Sequence, residues 1–313
     1  MSDTPSARGR YLALCLNPTI QKTLVYDGLE KGEVNRSSEY RVDVAGKGVC
    51  CARVLGQLGR EAIHLTQLGG PTKDWFLEMC SADGVRVRWV DSGSDIRFCT
   101  TIIDRADSTA TELVEEARAV REGTADGILE EFDRLLPEVA TVLLSGTKAA
   151  GFPPTLMPAL AARAAAGGKR LILDIKGADL KASLPFRPCV AKPNLEELLQ
   201  TYAPDRAASW RAGADEGAMR DLVARIGREY RELHGAWLVV TRGSRPTLFW
   251  DGTGLRECPA LPVAVLNPIG SGDSFTVGVA TALEDGATIA EAVAEGTRLG
   301  ALNAERLKPG SIL

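Results

Sequence analysis

Short apolar runs alternate with stretches of helical periodicity along most of the chain. The runs at 11–16, 62–68, 141–145, 170–175 and 236–241 are largely continuous rather than alternating, the pattern of β-strands covered on both faces. Between them, apolar residues recur at helical spacing over 49–58, 73–82, 128–136, 155–165 and 218–233. Strand–helix alternation of this kind predicts an α/β fold with a mostly parallel central sheet and helices on both faces. Two regions break the rhythm. Residues 19–44 and 89–116 carry β-type segments at 23–26, 39–44, 98–104 and 111–115 with no helical pattern between them. They predict a small antiparallel sheet, inserted twice into a core made of residues 1–18, 45–88 and 117–313.

Composition narrows the class without naming a function. The 313 residues are 45% hydrophobic and 25% charged, the balance of an ordinary soluble globular protein. A net charge of −4 excludes the basic excess expected of a general nucleic-acid or anionic-membrane binder. The seven cysteines form no C-x-x-C pair, and only His64 and His234 could join them as ligands. Reduced thiols in a cytoplasmic protein are therefore expected, rather than a disulfide framework or a zinc site. The apolar run at 11–16 stops at Asn17-Pro18, too short for a secretory h-region, and no stretch is long enough to span a membrane.

Three segments could carry chemistry. Gly270-Ser271-Gly272-Asp273 opens an apolar helical stretch, where free backbone N–H groups and the helix dipole favour an anion. Asp273 in that first turn also reads as an ordinary helix-stabilising acid. Gly46-Lys47-Gly48 enters a second helix; it lacks the Walker A spacing but could hold a polyanion, or be a turn with a solvated lysine. Lys192-Pro193-Asn194 with Glu197 has the spacing of a capping box. The same Asn194 and Glu197 could orient water around magnesium.

Taken in order, these segments resemble the ribokinase-like carbohydrate kinases of the PfkB family, over nearly the whole chain. Asn17-Pro18-Thr19-Ile20, Val34-Asn35-Arg36, Ser145-Gly146-Thr147 and Leu299-Gly300-Ala301-Leu302-Asn303-Ala304 add to the resemblance. The similarity points to the branch of 1-phosphofructokinases and tagatose-6-phosphate kinases. It implies a ribokinase-like fold whose twice-inserted sheet is a lid, and ATP- and magnesium-dependent phosphoryl transfer to a sugar phosphate. It also implies Asp273 as catalytic base and the backbone of Gly270, Ser271 and Gly272 as anion hole. Lys192, Asn194, Thr241 and Gly243 would lie along ATP, with Asn194 and Glu197 near magnesium through water. Asn17, Gln21, Arg36, Gly46, Lys47, Cys50 and Arg97 would surround the acceptor, and a homodimer would pair through the lid.

The chain departs from the family where hydroxyls are read. Gln21 stands where relatives have aspartate, and Cys50 where they have asparagine. Cysteine is a weak hydrogen-bonding partner, so acceptor specificity is expected to differ. Lys148 adds a cation near the acceptor side. Other readings are a kinase for an unphosphorylated sugar or nucleoside and a non-catalytic sugar-phosphate-binding protein. A hydrolase using Gly272-Asp273-Ser274 is excluded, because no histidine follows His234.

Overall fold

The computed structural model describes residues 9–208 and 215–313; the parts of the expected core at 1–8 and 209–214 lie outside them. Strand β1 (Arg10–Leu16) shows why the sheet is buried on both sides. Leu12, Leu14 and Leu16 enter one apolar cluster, whereas Tyr11 and Ala13 enter the other, as the two-residue period of a strand requires. Helices α1 (Lys47–Gln57) and α2 (Lys73–Ala82) cover the second cluster, with α8 (Ser271–Glu284) and α9 (Ile289–Ala304). Helices α3 (Thr124–Leu135), α4 (Leu156–Ala166), α5 (Gly177–Ser183), α6 (Leu195–Tyr202) and α7 (Glu216–Glu229) cover the first.

Around β1 the large sheet runs outward on both sides. One way lie β4 (Glu61–Leu68) and β5 (Arg86–Asp91); the other way lie β8 (Thr141–Lys148), β9 (Arg170–Asp174), β10 (Val190–Ala191) and β11 (Trp237–Arg242), all parallel. The hairpin β12 (Arg245–Trp250) and β13 (Leu255–Cys258), absent from the sequence expectation, closes that edge antiparallel. Among the described residues no helix is long and apolar enough to cross a membrane.

A separate four-stranded sheet has the order β3-β2-β6-β7, with β2 Thr19–Tyr26, β3 Glu39–Ala45, β6 Arg97–Asp104 and β7 Thr109–Val114. Two details differ from the expectation. The sheet is mixed, because β2 and β6 run parallel. The expected segment 89–116 begins inside β5, which pairs with β4 and belongs to the large sheet.

Candidate active site

A cavity of about 420 Å³ lies between the ends of β1, β9, β10 and β11 and the small sheet. The carboxyl ends of parallel strands are where an open α/β sheet offers a crevice. Asn17, Lys47, Asp174, Lys192, Thr241 and Asp273 line the core side; Gln21, Arg97, Cys99, Glu112 and Val114 line the other.

Asp174, the last residue of β9, organises the floor and is 1% exposed. Its Oδ1 is 2.7 Å from Lys47 Nζ, and its Oδ2 is 3.2 Å from Lys192 Nζ and accepts from Thr276 Oγ1 at 2.9 Å. Burial alone would raise this carboxyl; Lys192, Lys47 and the Thr276 bond together hold it below the usual range. Lys47 also lies 3.4 Å from Glu197 Oε1. Burial disfavours its charge, but Asp174, Glu197 and Asp273 outweigh that and raise it above the ordinary lysine range.

Asp273 sits in the first turn of α8, behind the left-handed N-cap Gly270. Its carboxyl is pushed up to about 7, by burial first, opposed by Lys47 and assisted by the nearby charge of Asp174. The N–H of Ser271 is engaged by the Pro268 carbonyl at 3.2 Å. That leaves the N–H groups of Gly272 and Asp273 as donors at the positive end of the helix. Asn303 braces the turn by donating to Ile269 O at 2.9 Å and to Ser271 Oγ at 3.0 Å. Asn194 and Glu197 form the reciprocal cap of α6, with bonds of 2.8 and 3.0 Å.

The family follows from sequence and geometry together. The profile described as pfkB family carbohydrate kinase matches residues 15–312. The chain belongs to that family of sugar kinases. Solved structures agree on the ribokinase-like fold. Phosphofructokinase-2 from Escherichia coli in complex with fructose-6-phosphate shares 20% identity over 96% of this chain and 95% of that one, with a TM-score of 0.77. A possible 1-phosphofructokinase from Thermotoga maritima shares 17% over 96% and 93%, with a TM-score of 0.83. The tetrameric inhibited form of the E. coli phosphofructokinase-2 shares 20% over 94% and 93%, also at 0.77.

Within this kinase most of the sequence-predicted residues converge on one cavity. Asn17, Gln21, Gly46, Lys47, Cys50, Arg97, Lys192, Asn194, Glu197, Thr241, Gly270, Gly272 and Asp273 all border it. Four expectations are corrected. Arg36 is exposed on the β2–β3 connection and does not border the cavity, so it forms no cationic trio with Lys47 and Arg97. Gly243 lies in the tight β11–β12 turn, outside the lining, because a two-residue hairpin carries it past the strand end. The backbone N–H of Ser271, expected in the anion hole, is engaged by the Pro268 carbonyl, and its side chain meets Asn303. Lys148 is turned away by its ion pair with Asp179. Conversely, Asp174 and Glu112 escaped the sequence reading. The signal for Asp174 was an acid closing an apolar strand, at the position where such sheets bind ligands.

Proposed function

We propose that the chain transfers the γ-phosphoryl group of ATP to a hydroxyl of a phosphorylated sugar, with ketohexose phosphates as the first class to try. The observation that carries this is Asp273, a buried carboxyl raised to about 7, directly beside open helix N-terminal amides. A base with that pKa is ionised enough near neutral pH to take a proton, yet basic enough to hold it. The amides of Gly272 and Asp273 stabilise charge on the transferring group. Lys192, Asn194 and Thr241 lie on the nucleotide side, and lysines bridged by Asp174 keep positive charge at the floor. Together these position the phosphates and neutralise their charge, which is most of what phosphoryl transfer requires.

Magnesium fits as a phosphate-borne, hydrated ion. No group of three or more His, Cys, Asp or Glu among the described residues could cage a metal, and Asn194 and Glu197 are partly engaged in the α6 cap. Their remaining lone pairs suit hydrogen bonds to metal-bound water. The ion supplies charge neutralisation on the β- and γ-phosphates.

On the acceptor side, Arg97 supports the phosphorylated acceptor: it borders the cavity as a cation, and its Nε is buried without a partner. A second reading, a free sugar as acceptor, is favoured by the exclusion of Arg36 and Lys148 and by the engagement of Lys47 with two carboxylates. Release of ADP from magnesium-ATP with a panel of sugar phosphates, free sugars and nucleosides decides. Preference for phosphorylated hexoses supports the first reading. Equal use of a free hexose replaces it with the second, and no turnover with any acceptor overturns both.

We also propose cytoplasmic residence and a homodimer formed through the small sheet acting as a lid. Its outer face carries Tyr40 at 64%, Leu113 at 54% and Phe98 at 36% exposure, exposed apolar side chains set around Lys22 and Thr100.

A further inference from the structure

Gln21 and Cys50, the two positions where this chain departs from its family, are both engaged within the protein. Gln21 Nε2 donates to Thr101 Oγ1 at 2.6 Å in the buried interior. Cys50 is 2% exposed and closely packed, so that a Cβ on Gly310 would lie 2.6 Å from its Sγ. Neither offers a carboxylate to a sugar, and a thiol is a weak substitute.

One carboxylate on the acceptor side has no partner. Glu112 borders the cavity from β7 and makes no hydrogen bond or ion pair with any described residue. The β6–β7 register sets it directly across from Thr101, the residue that occupies Gln21. Although β7 is exposed, partial desolvation against the cavity wall raises its carboxyl above the usual range, with Arg97 pulling it back. Two further residues of this cavity carry a polar atom buried without a partner, Asn17 Oδ1 and Arg97 Nε. Asn17, Arg97 and Glu112 thus border one cavity, and of the three only Glu112 brings a carboxylate free of any partner among the described residues. A carboxylate accepts from one or two hydroxyls and repels phosphate, so it suits a hydroxyl-bearing carbon of the acceptor rather than its phosphate.

We infer that Glu112 is the acceptor's hydroxyl reader, moved in this chain from β2 and α1 to the outer strand of the small sheet. The inference rests on the sugar-kinase reading above and deepens it. Discrimination is then completed only when β7 lies over the acceptor, so recognition and exclusion of water become one event.

The test measures kcat/KM for the best hexose acceptor and for each of its monodeoxy analogues, in wild type, Glu112→Ala and Glu112→Gln. Because β7 is exposed along its whole length, both variants should fold, which a thermal melt verifies. In wild type at least one deoxy analogue should fall roughly 100-fold below the parent, since a site built for a hydroxyl rejects its absence. In Glu112→Ala that ratio should shrink to within about threefold. The loss on the parent should lie in the acceptor KM, with the ATP KM unchanged. Glu112→Gln, which keeps an acceptor oxygen, should fall between. Full discrimination in Glu112→Ala overturns the inference while leaving the kinase reading intact. Preference for an amino sugar over the parent hydroxyl sugar also overturns it, because the carboxylate would then be reading an ammonium. Absence of turnover with every acceptor in wild type overturns the kinase reading, and this inference with it.

Discussion

Lys47 Nζ and Asp174 Oδ1 meet at 2.7 Å, joining the start of α1 to the end of β9 beneath the cavity. The same carboxylate holds Lys192, whose side chain is 3% exposed. Replacing Asp174 with asparagine would leave the enclosed Lys192 and the half-buried Lys47 short of their main counter-ion. Removing one partner of a buried pair costs about 3–5 kcal/mol. Because Lys47 keeps Glu197 at 3.4 Å, the expected loss is at the low end, about 3 kcal/mol by urea denaturation at pH 7. The sign with pH is fixed by the depressed Asp174 pKa. Its stabilisation is complete above the unfolded value of 3.8 and is lost as pH falls through the lower folded value. The gap between wild type and variant should therefore narrow in acid. A change within 1 kcal/mol at pH 7 would mean that the lysines are held by other groups.

The legible and illegible parts of this site divide along physical lines. The β1 core and the turn before Asp273 could be read because strand period and glycine-rich helix starts are local. Asp174 could not, because its lysines come from 127 residues earlier and 18 later, and an acid ending a strand looks like a boundary. The parallel pairing of β2 with β6 was hidden because a strand pattern carries no direction. β5 resembled a lid strand because it lies at the edge of the large sheet, where Arg86, Arg88 and Asp91 alternate with Val87 and Val90. Arg36 fits a family motif in sequence, yet the β2–β3 connection is turned by Asn35 bonding Glu30 and leaves the arginine in solvent.

Asp273 should trade stability for activity. Its folded pKa near 7 exceeds the ordinary 3.8, so the native state binds the extra proton between those values and stability falls as pH rises through that window. The shift corresponds to a penalty on the order of 4 kcal/mol once the carboxyl is ionised. Asp273→Asn should lose at least 1000-fold in kcat with ATP affinity nearly unchanged. It should melt higher than wild type at pH 8 and close to it at pH 4. In wild type, kcat should rise through about pH 7 as the base ionises. Retention of most of kcat by the variant would remove Asp273 from the reaction.

Gly270 and Gly310 lie back to back, and a Cβ on Gly270 would sit 2.1 Å from Gly310 N. Gly310 in turn has φ of +61°, and a Cβ there would sit 2.4 Å from Cys50 Cβ. Gly310→Ala must therefore displace α1 or the turn before Asp273, although Gly310 does not border the cavity. The expected result is a loss of roughly 2–4 kcal/mol, with a fall in kcat larger than any change in either KM. Normal kcat in a destabilised protein would show that the turn tolerates movement of its brace.

The small sheet predicts an assembly state. Tyr40, Phe98 and Leu113 share the outer face of the small sheet through the registers of β2 with β3 and β6 and of β6 with β7. A dimer should be seen by sedimentation at micromolar protein. Leu113→Lys, facing away from the cavity, should weaken it by at least tenfold. A monomeric wild type would leave this face to another partner.

Arg97 separates the two acceptor readings. One guanidinium nitrogen, Nη1, donates to Glu115 O at 3.3 Å, holding the side chain against the residue that follows β7, while Nε is buried without a partner. A hydrogen bond from a charged donor to phosphate contributes about 1.5–3 kcal/mol. Arg97→Ala should thus lower kcat/KM for every phosphorylated acceptor by roughly 10- to 100-fold, with little change in the ATP KM. Arg97→Lys should recover only part of this, because an ammonium cannot reproduce the forked donor geometry. The informative quantity is the ratio of kcat/KM for a sugar phosphate to that for its free sugar, since misfolding of β6 would depress both alike. If the phosphate is read here, that ratio collapses in Arg97→Ala. If the natural acceptor carries no phosphate, the ratio is already near one in wild type and stays there, and Arg97 serves a sugar oxygen instead.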